Sequence, residues 1–115
     1  MTDIIYHTPM QKLSDATEHN GVIYTAGQVA ENLDAGMTAQ TADVLRQIDA
    51  LLAQCGSSKS RILSATVYVT DMALKPLMDV AWMAWVDQTR PPARATVEAR
   101  LGANVLVEIM VTAAK

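Results

Sequence analysis

Between Met37 and Cys55 the apolar positions fall at three- and four-residue steps: Met37, Val44, Leu45, Ile48, Leu51, Leu52 and Cys55, with Thr41 in the same stripe. That spacing predicts an amphipathic helix with one buried face, and Gly56 supplies its C-terminal stop. From Ile62 to Thr70 the pattern changes to a period of two. Leu63, Ala65, Val67 and Val69 share one face, while Ser64, Thr66, Tyr68 and Thr70 share the other, as in a strand. A second helical stripe, Met78, Ala81, Trp82 and Trp85, runs toward Gln88. Pro76 suits its first turn, and Asp71 can cap the region. Shorter strands are predicted at Thr2 to His7, Ser14 to His19 and Val22 to Gly27, with Asn20-Gly21 as a two-residue hairpin turn. Gln28 to Gly36 reads as a loop and Ser57 to Ser60 as a polar connection. Ala95 to Arg100 and Val105 to Ala113 form the last two strands, joined by Leu101-Gly102-Ala103-Asn104.

The order strands, helix, strand, helix, two strands predicts a single α+β domain over residues 1–115, with both helices packed on one face of a mixed sheet. In the last strand Val105, Val107, Ile109 and Val111 point one way, and Leu106, Glu108, Met110 and Thr112 the other. The first set serves the helix side. The second set is still largely apolar and no further element remains to cover it, which predicts a partner subunit there, with Glu108 at or near the interface. Register links two residues of interest. If Arg100 pairs with Val105 across the connection, Arg94 and Glu108 face opposite sides of the sheet. A bulge, or a loop one residue longer or shorter, puts them on the same side, and the remaining alternative is that they meet from different chains.

Composition narrows the setting. Half of the 115 residues are hydrophobic, enough for a core, and the net charge of -3 argues against a nucleic-acid partner. The lone Cys55 excludes an intrachain disulfide, and as the end of a buried stripe it reads as a packed thiol in a reducing compartment. Met1-Thr2-Asp3 does not open a signal peptide, and no apolar run has the roughly 18 to 20 residues that span a membrane. A soluble cytoplasmic protein with no membrane partner is the expectation. Seven methionines and no phenylalanine suggest a Met-rich core, and the two tryptophans read as core or interface.

Two groups carry candidate chemistry. Arg94 follows Pro91-Pro92-Ala93. The prolines restrict the backbone before it, and its planar fork matches a carboxylate in bidentate fashion; a salt-bridge Arg is the plain alternative. Glu108 lies between Leu106 and Met110 on one strand face, where partial desolvation suits a carboxylate to proton transfer. Its plain alternative is an interface ion pair. Gly27 can leave backbone groups open to a ligand or serve close packing. His7 and His19 have no ligand set at metal spacing around them, and no phosphate-cradling glycine loop or nucleophile triad is present.

Several segments resemble one family in order and spacing. Gly21-Val22-Ile23-Tyr24-Thr25-Ala26-Gly27-Gln28 is similar to its G-x-x-Y-x-S-G-Q segment. Gln40 to Leu45 and Leu51 to Gly56 resemble its first helix, Ala65 to Met72 its central strand and D-M corner, and Pro92 to Val97 with Val107-Glu108-Ile109 its C-terminal signature. The chain is identified on these residues as a member of the RidA (YjgF/UK114) family. Glu31-Asn32-Leu33-Asp34-Ala35 and the Trp82/Trp85 helix are most similar to its YoaB-type branch.

The resemblance implies a chorismate-mutase-like fold, a homotrimer, ligand sites between subunits and no cofactor or metal. It implies hydrolysis of reactive 2-enamine/2-imine acids, of the 2-aminoacrylate type, to 2-oxo acids and ammonia. By position, Arg94 matches the family Arg that grips a substrate carboxylate, Glu108 the acid that handles water or protons, and Gly27 the glycine whose backbone lines the pocket. Departures stand beside them: Ala26 replaces the pocket Ser, Thr96 the Cys and Asp79 the helical Asn, and the pocket Tyr falls near Leu13, where no aromatic stands. An acid at Asp79 repels a second carboxylate or favours an amine. The competing expectation is a non-catalytic module that binds small carboxylates in the same cleft and regulates a partner.

Overall fold

Asn20 and Gly21 close the first turn of the sheet. Both take positive φ, 52° and 77°, as a two-residue hairpin turn of this hand requires, and His19 pairs with Val22 across them. The computed structural model describes residues 3–115. β1 (Ile5–Pro9), β2 (Ser14–His19) and β3 (Val22–Thr25) form an antiparallel meander. Thr2, in the expected first strand, lies outside the described residues, and the strand runs two residues past His7.

α1 (Met37–Gln54) buries the whole expected stripe, together with Gln40. No side-chain cap closes its start at Gly36, a loss of about 1 kcal/mol. The fully buried Leu45, Ile48 and Leu52 outweigh that, at about 1.5–3 kcal/mol each. At its end Gly56 takes φ 82°. The Ser57 N–H then reaches back to the Leu52 carbonyl at 2.8 Å and the Gly56 N–H to that of Ala53 at 3.1 Å, the paired bonds of a Schellman stop. Cys55 is packed in the core, and burial pushes its thiol pKa up.

β4 (Ile62–Val69) is followed by a 3-10 turn, α2 (Lys75–Trp85), β5 (Ala93–Glu98) and β6 (Val107–Ala114). Asp71 caps the 3-10 turn, accepting from the Ala73 N–H at 2.9 Å, and Pro76 stands in the first turn of α2. Six strands share one sheet in the order β1-β2-β3-β6-β4-β5.

The last two strands depart from expectation. They do not pair with each other. β5 lies parallel to β4, with α2 as the crossover helix, and β6 inserts antiparallel between β3 and β4. The connection passes over the end of β4 instead of folding back: the Ala99 N–H donates to Val69 O at 2.9 Å and the Thr70 N–H to Leu106 O at 3.1 Å. Gln40, fully buried, holds this crossing. Its amide donates to Asn104 O (3.1 Å) and Ala35 O (3.0 Å), and its carbonyl accepts from the Leu106 N–H (3.1 Å).

β4 also departs locally. A register shift between Ile62 and Ser64 exposes Leu63 and buries Ile62, because one extra residue flips a strand face. Beyond it Ala65, Val67 and Val69 face the core as expected, as do Val107, Ile109 and Val111. Both helices cover that face, and the core lies between. The core is aliphatic, not Met-rich: among the described residues only Met37 and Met78 are buried methionines. Trp82 is buried, and Trp85 packs on the core while donating to Asp49 Oδ2 at 2.9 Å.

Candidate functional site: two separate clusters

Arg94 stands opposite Ala65 in the β4–β5 ladder, so it points to the helix side. There its Nη1 donates to Asp79 Oδ1 on α2 at 2.7 Å. The other Asp79 oxygen accepts from Lys75 Nζ at 2.8 Å, one helical turn back. The guanidinium lies over the Trp82 ring, 5.1 Å from its centroid, within cation–π range. Burial pushes the Asp79 carboxyl up, but the hydrogen bonds from Lys75 and Arg94 outweigh it and hold its pKa below the usual value. Thr96 follows on the same side of β5, and its Oγ1 is buried without a hydrogen-bond partner among the described residues.

The backbone before Arg94 is fixed by a turn as well as by proline. After α2, Asp87 Oδ1 accepts from the Thr89 N–H and hydroxyl at 3.0 and 2.8 Å and from the Arg90 N–H at 3.2 Å. Hydrogen bonds from Thr89 and Ser60 lower its pKa to about 2. The turn delivers the chain to Pro91-Pro92 and then to the β5 register.

Glu108 belongs to a second cluster. It pairs with Tyr68 on β4 and faces the side that no helix covers among the described residues. β3 meets β6 irregularly beside it. Tyr24 pairs with Thr112, and Gln28 bridges to Ile109, so β3 advances one residue more than β6 and a bulge falls at Ala26 and Gly27. The Ala26 N–H is bound to Asp15 O at 2.8 Å and the Gln28 N–H to Ile109 O at 2.8 Å. A Cβ built on Gly27 would fall on Glu108 Oε2. The glycine is therefore what lets the carboxylate lie against the backbone. Glu108 has no ion-pair partner among the described residues.

The fold thus brings Arg94, Thr96 and Asp79 together, and separately Ala26, Gly27 and Glu108. It does not join the two sets within one chain. Arg94 and Glu108 register with β4 residues three apart, Ala65 and Tyr68, about 10 Å along the strand. Their strands lie two ladder spacings apart, about 10 Å across, and their side chains leave opposite faces. Leu13, near which the resemblance places the family Tyr, is exposed.

Lys75 and Trp82 are the groups at Arg94 that the residue pattern did not single out for it. The Lys75/Asp79 spacing of four on a helix was a usable signal for the first. Trp82 gave none beyond its apolar stripe.

The meander, the β4-α2-β5 crossover and the two helices on one side of the sheet define an α+β chain of the YjgF type. The Endoribonuclease L-PSP family model matches residues 6–115, and the chain belongs to that family, the RidA or YjgF group. A RutC family protein from Haemophilus influenzae is 44% identical over 107 residues, covering 91% of this chain and 92% of the relative. The RutC family protein YoaB of Escherichia coli K12 is 46% identical over 102 residues, covering 88% and 89%. A crystal structure of a YjgF family member from Neisseria meningitidis superimposes with a TM-score of 0.92 at 48% identity, covering 98% of this chain and 95% of that one.

Proposed function

We propose that the protein hydrolyses reactive 2-enamine/2-imine acids to 2-oxo acids and ammonia, in clefts between the subunits of a chorismate-mutase-like homotrimer. The observation that carries this reading is the split of the site. Arg94, with its side chain 20% exposed, offers one half, and Glu108 beside Gly27 offers the other, on opposite faces of one sheet. Two copies of the chain can bring the halves together; one cannot.

In such a cleft the substrate carboxylate pairs with Arg94. An enamine first takes a proton at carbon to become the imine. Water then adds to the C=N carbon, giving up a proton to Glu108, which returns it to nitrogen. As the carbinolamine collapses to C=O, Glu108 carries its hydroxyl proton to the nitrogen, the C–N bond breaks, and ammonia leaves. Imines hydrolyse readily unaided, so positioning plus acid/base help worth about 10²–10⁴-fold suffices. No cofactor is needed. A cytoplasmic setting, near the pyridoxal-phosphate enzymes that generate such imines, suits the lone core thiol.

Ammonia release from freshly generated 2-iminopropanoate tests this. Arg94→Ala and Glu108→Gln should each lose about a hundredfold in kcat/KM. Co-refolding the two variants should restore about a quarter of the wild-type rate. Three-quarters of randomly mixed trimers are hetero, and each then holds one intact site in about three. No recovery on mixing would place both groups in one chain; full activity of Arg94→Ala would end its role. The exposed Leu13 and the small Ala26 favour one competitor, a non-catalytic carboxylate-binding regulator. It would show saturable 2-oxo acid binding with no turnover across an imine panel.

A further inference from the structure

Asp79 is an unusual neighbour for a carboxylate anchor. Its oxygen lies 2.7 Å from Arg94 Nη1, so it cancels much of the charge that would draw an anionic ligand. It does not occupy the whole fork, because only Nη1 contacts it. A guanidinium has five N–H donors, and the remaining edge can still take a carboxylate. Trp82 covers one face of the guanidinium, and Lys75 holds the far oxygen of Asp79 at 2.8 Å. The aspartate is therefore fixed beside the anchor, and a carboxylate has lone pairs to accept one more donor.

A ligand seated on the free edge of Arg94 lies beside this fixed carboxylate, whose charge Lys75 offsets in part from the far oxygen. A second acceptor there, such as the keto oxygen of a 2-oxo acid, is disfavoured. A cationic N–H on the adjacent carbon is favoured, as an ion pair and as a hydrogen-bond donor. We propose that Asp79 makes the Arg94 subsite selective for small acids carrying a protonated nitrogen next to the carboxylate, against 2-oxo acids of the same size. This rests on Arg94 being the anchor of the proposed deaminase. Within that reaction it makes Asp79 a specificity residue: it draws in the iminium substrate and helps expel the 2-oxo acid product, whose nitrogen has gone.

Calorimetric binding of two size-matched probes, L-alanine and pyruvate, to the full-length wild type, Asp79→Asn and Arg94→Ala tests the idea. Asparagine keeps the shape and an acceptor for Lys75, and Asp79→Ala serves as a second variant should the first not fold. Wild type should bind alanine about tenfold more tightly than pyruvate. Either Asp79 variant should tighten pyruvate about tenfold and weaken alanine, erasing the preference. Arg94→Ala should lose both. An alanine-to-pyruvate ratio unchanged in the Asp79 variants, with both probes lost in Arg94→Ala, would overturn the selectivity role and leave the anchor standing. Equal binding of both probes by wild type and Arg94→Ala, or binding of neither probe by any variant, would overturn the anchor and this proposal together.

Discussion

Gly27 has no room for a side chain. Its missing Cβ is the space that Glu108 Oε2 fills, with Glu108 Cδ 2.9 Å and Cγ 3.0 Å from where a Cβ would sit. The obstacle is the end of a flexible side chain and not backbone, so Gly27→Ala should displace the carboxylate instead of breaking the fold. The expected result is a melting temperature within about 4 °C of wild type, a change of under about 1 kcal/mol, with ammonia release down at least tenfold, since about 1 Å of misplacement is costly to proton transfer. A large melting-temperature loss with normal activity in the surviving protein would show that the close approach is only packing. The sequence exposed this residue as a glycine of uncertain use. Its partner was hidden, because the contact joins Gly27 to a residue 81 positions away through a bulge between two strands.

Elements whose pattern is local were legible; those defined by what they pair with were not. The α1 stripe, the Asn20-Gly21 turn and the alternation in β6 follow from period and turn chemistry alone. The order of β4, β5 and β6 does not. A short polar stretch between two strand-like runs looks the same whether the chain folds back or steps across a strand end. The crossing is tied by Gln40, a polar residue inside the apolar stripe of α1, whose amide reaches 64 residues along the chain to Asn104. The Asp87 turn is likewise set by local chemistry, and it makes a pH prediction. Its pKa is lowered to about 2 in the folded chain, against about 4 when unfolded. A lowered folded pKa gives stability that is complete above about pH 4 and is lost as pH falls toward 2. The stability gap between wild type and Asp87→Asn in urea titrations should therefore be constant from pH 7 to about 4.5 and shrink below that. A gap that widens on acidification would contradict the assignment.

At the scale of the molecule, one side of the six-stranded sheet is packed under two helices, and the other is open among the described residues. Tyr24, Met110 and Val97 on that open side are each 40% or more exposed, and a hollow of about 150 Å³ lies among Tyr24, Ser64, Thr66, Met110 and Thr112. A single chain gains nothing from this arrangement, since it leaves apolar surface in water. A trimer closing on the open faces would cover it, and would also carry each Glu108 toward a neighbour. The two consequences are separable from folding. Thr66 sits mid-sheet on the open face, opposite Met110 on one side and Ala95 on the other, and is not among the groups assigned to the chemistry. Thr66→Lys places a charge that a solvated monomer tolerates within about 0.5 kcal/mol but that a buried interface cannot solvate. Sedimentation should show a folded monomer, with native circular dichroism and ammonia release lost. A monomer with full activity would put the whole site in one chain, against the register of Arg94 and Glu108. An intact, active trimer would show that subunits meet through some other surface.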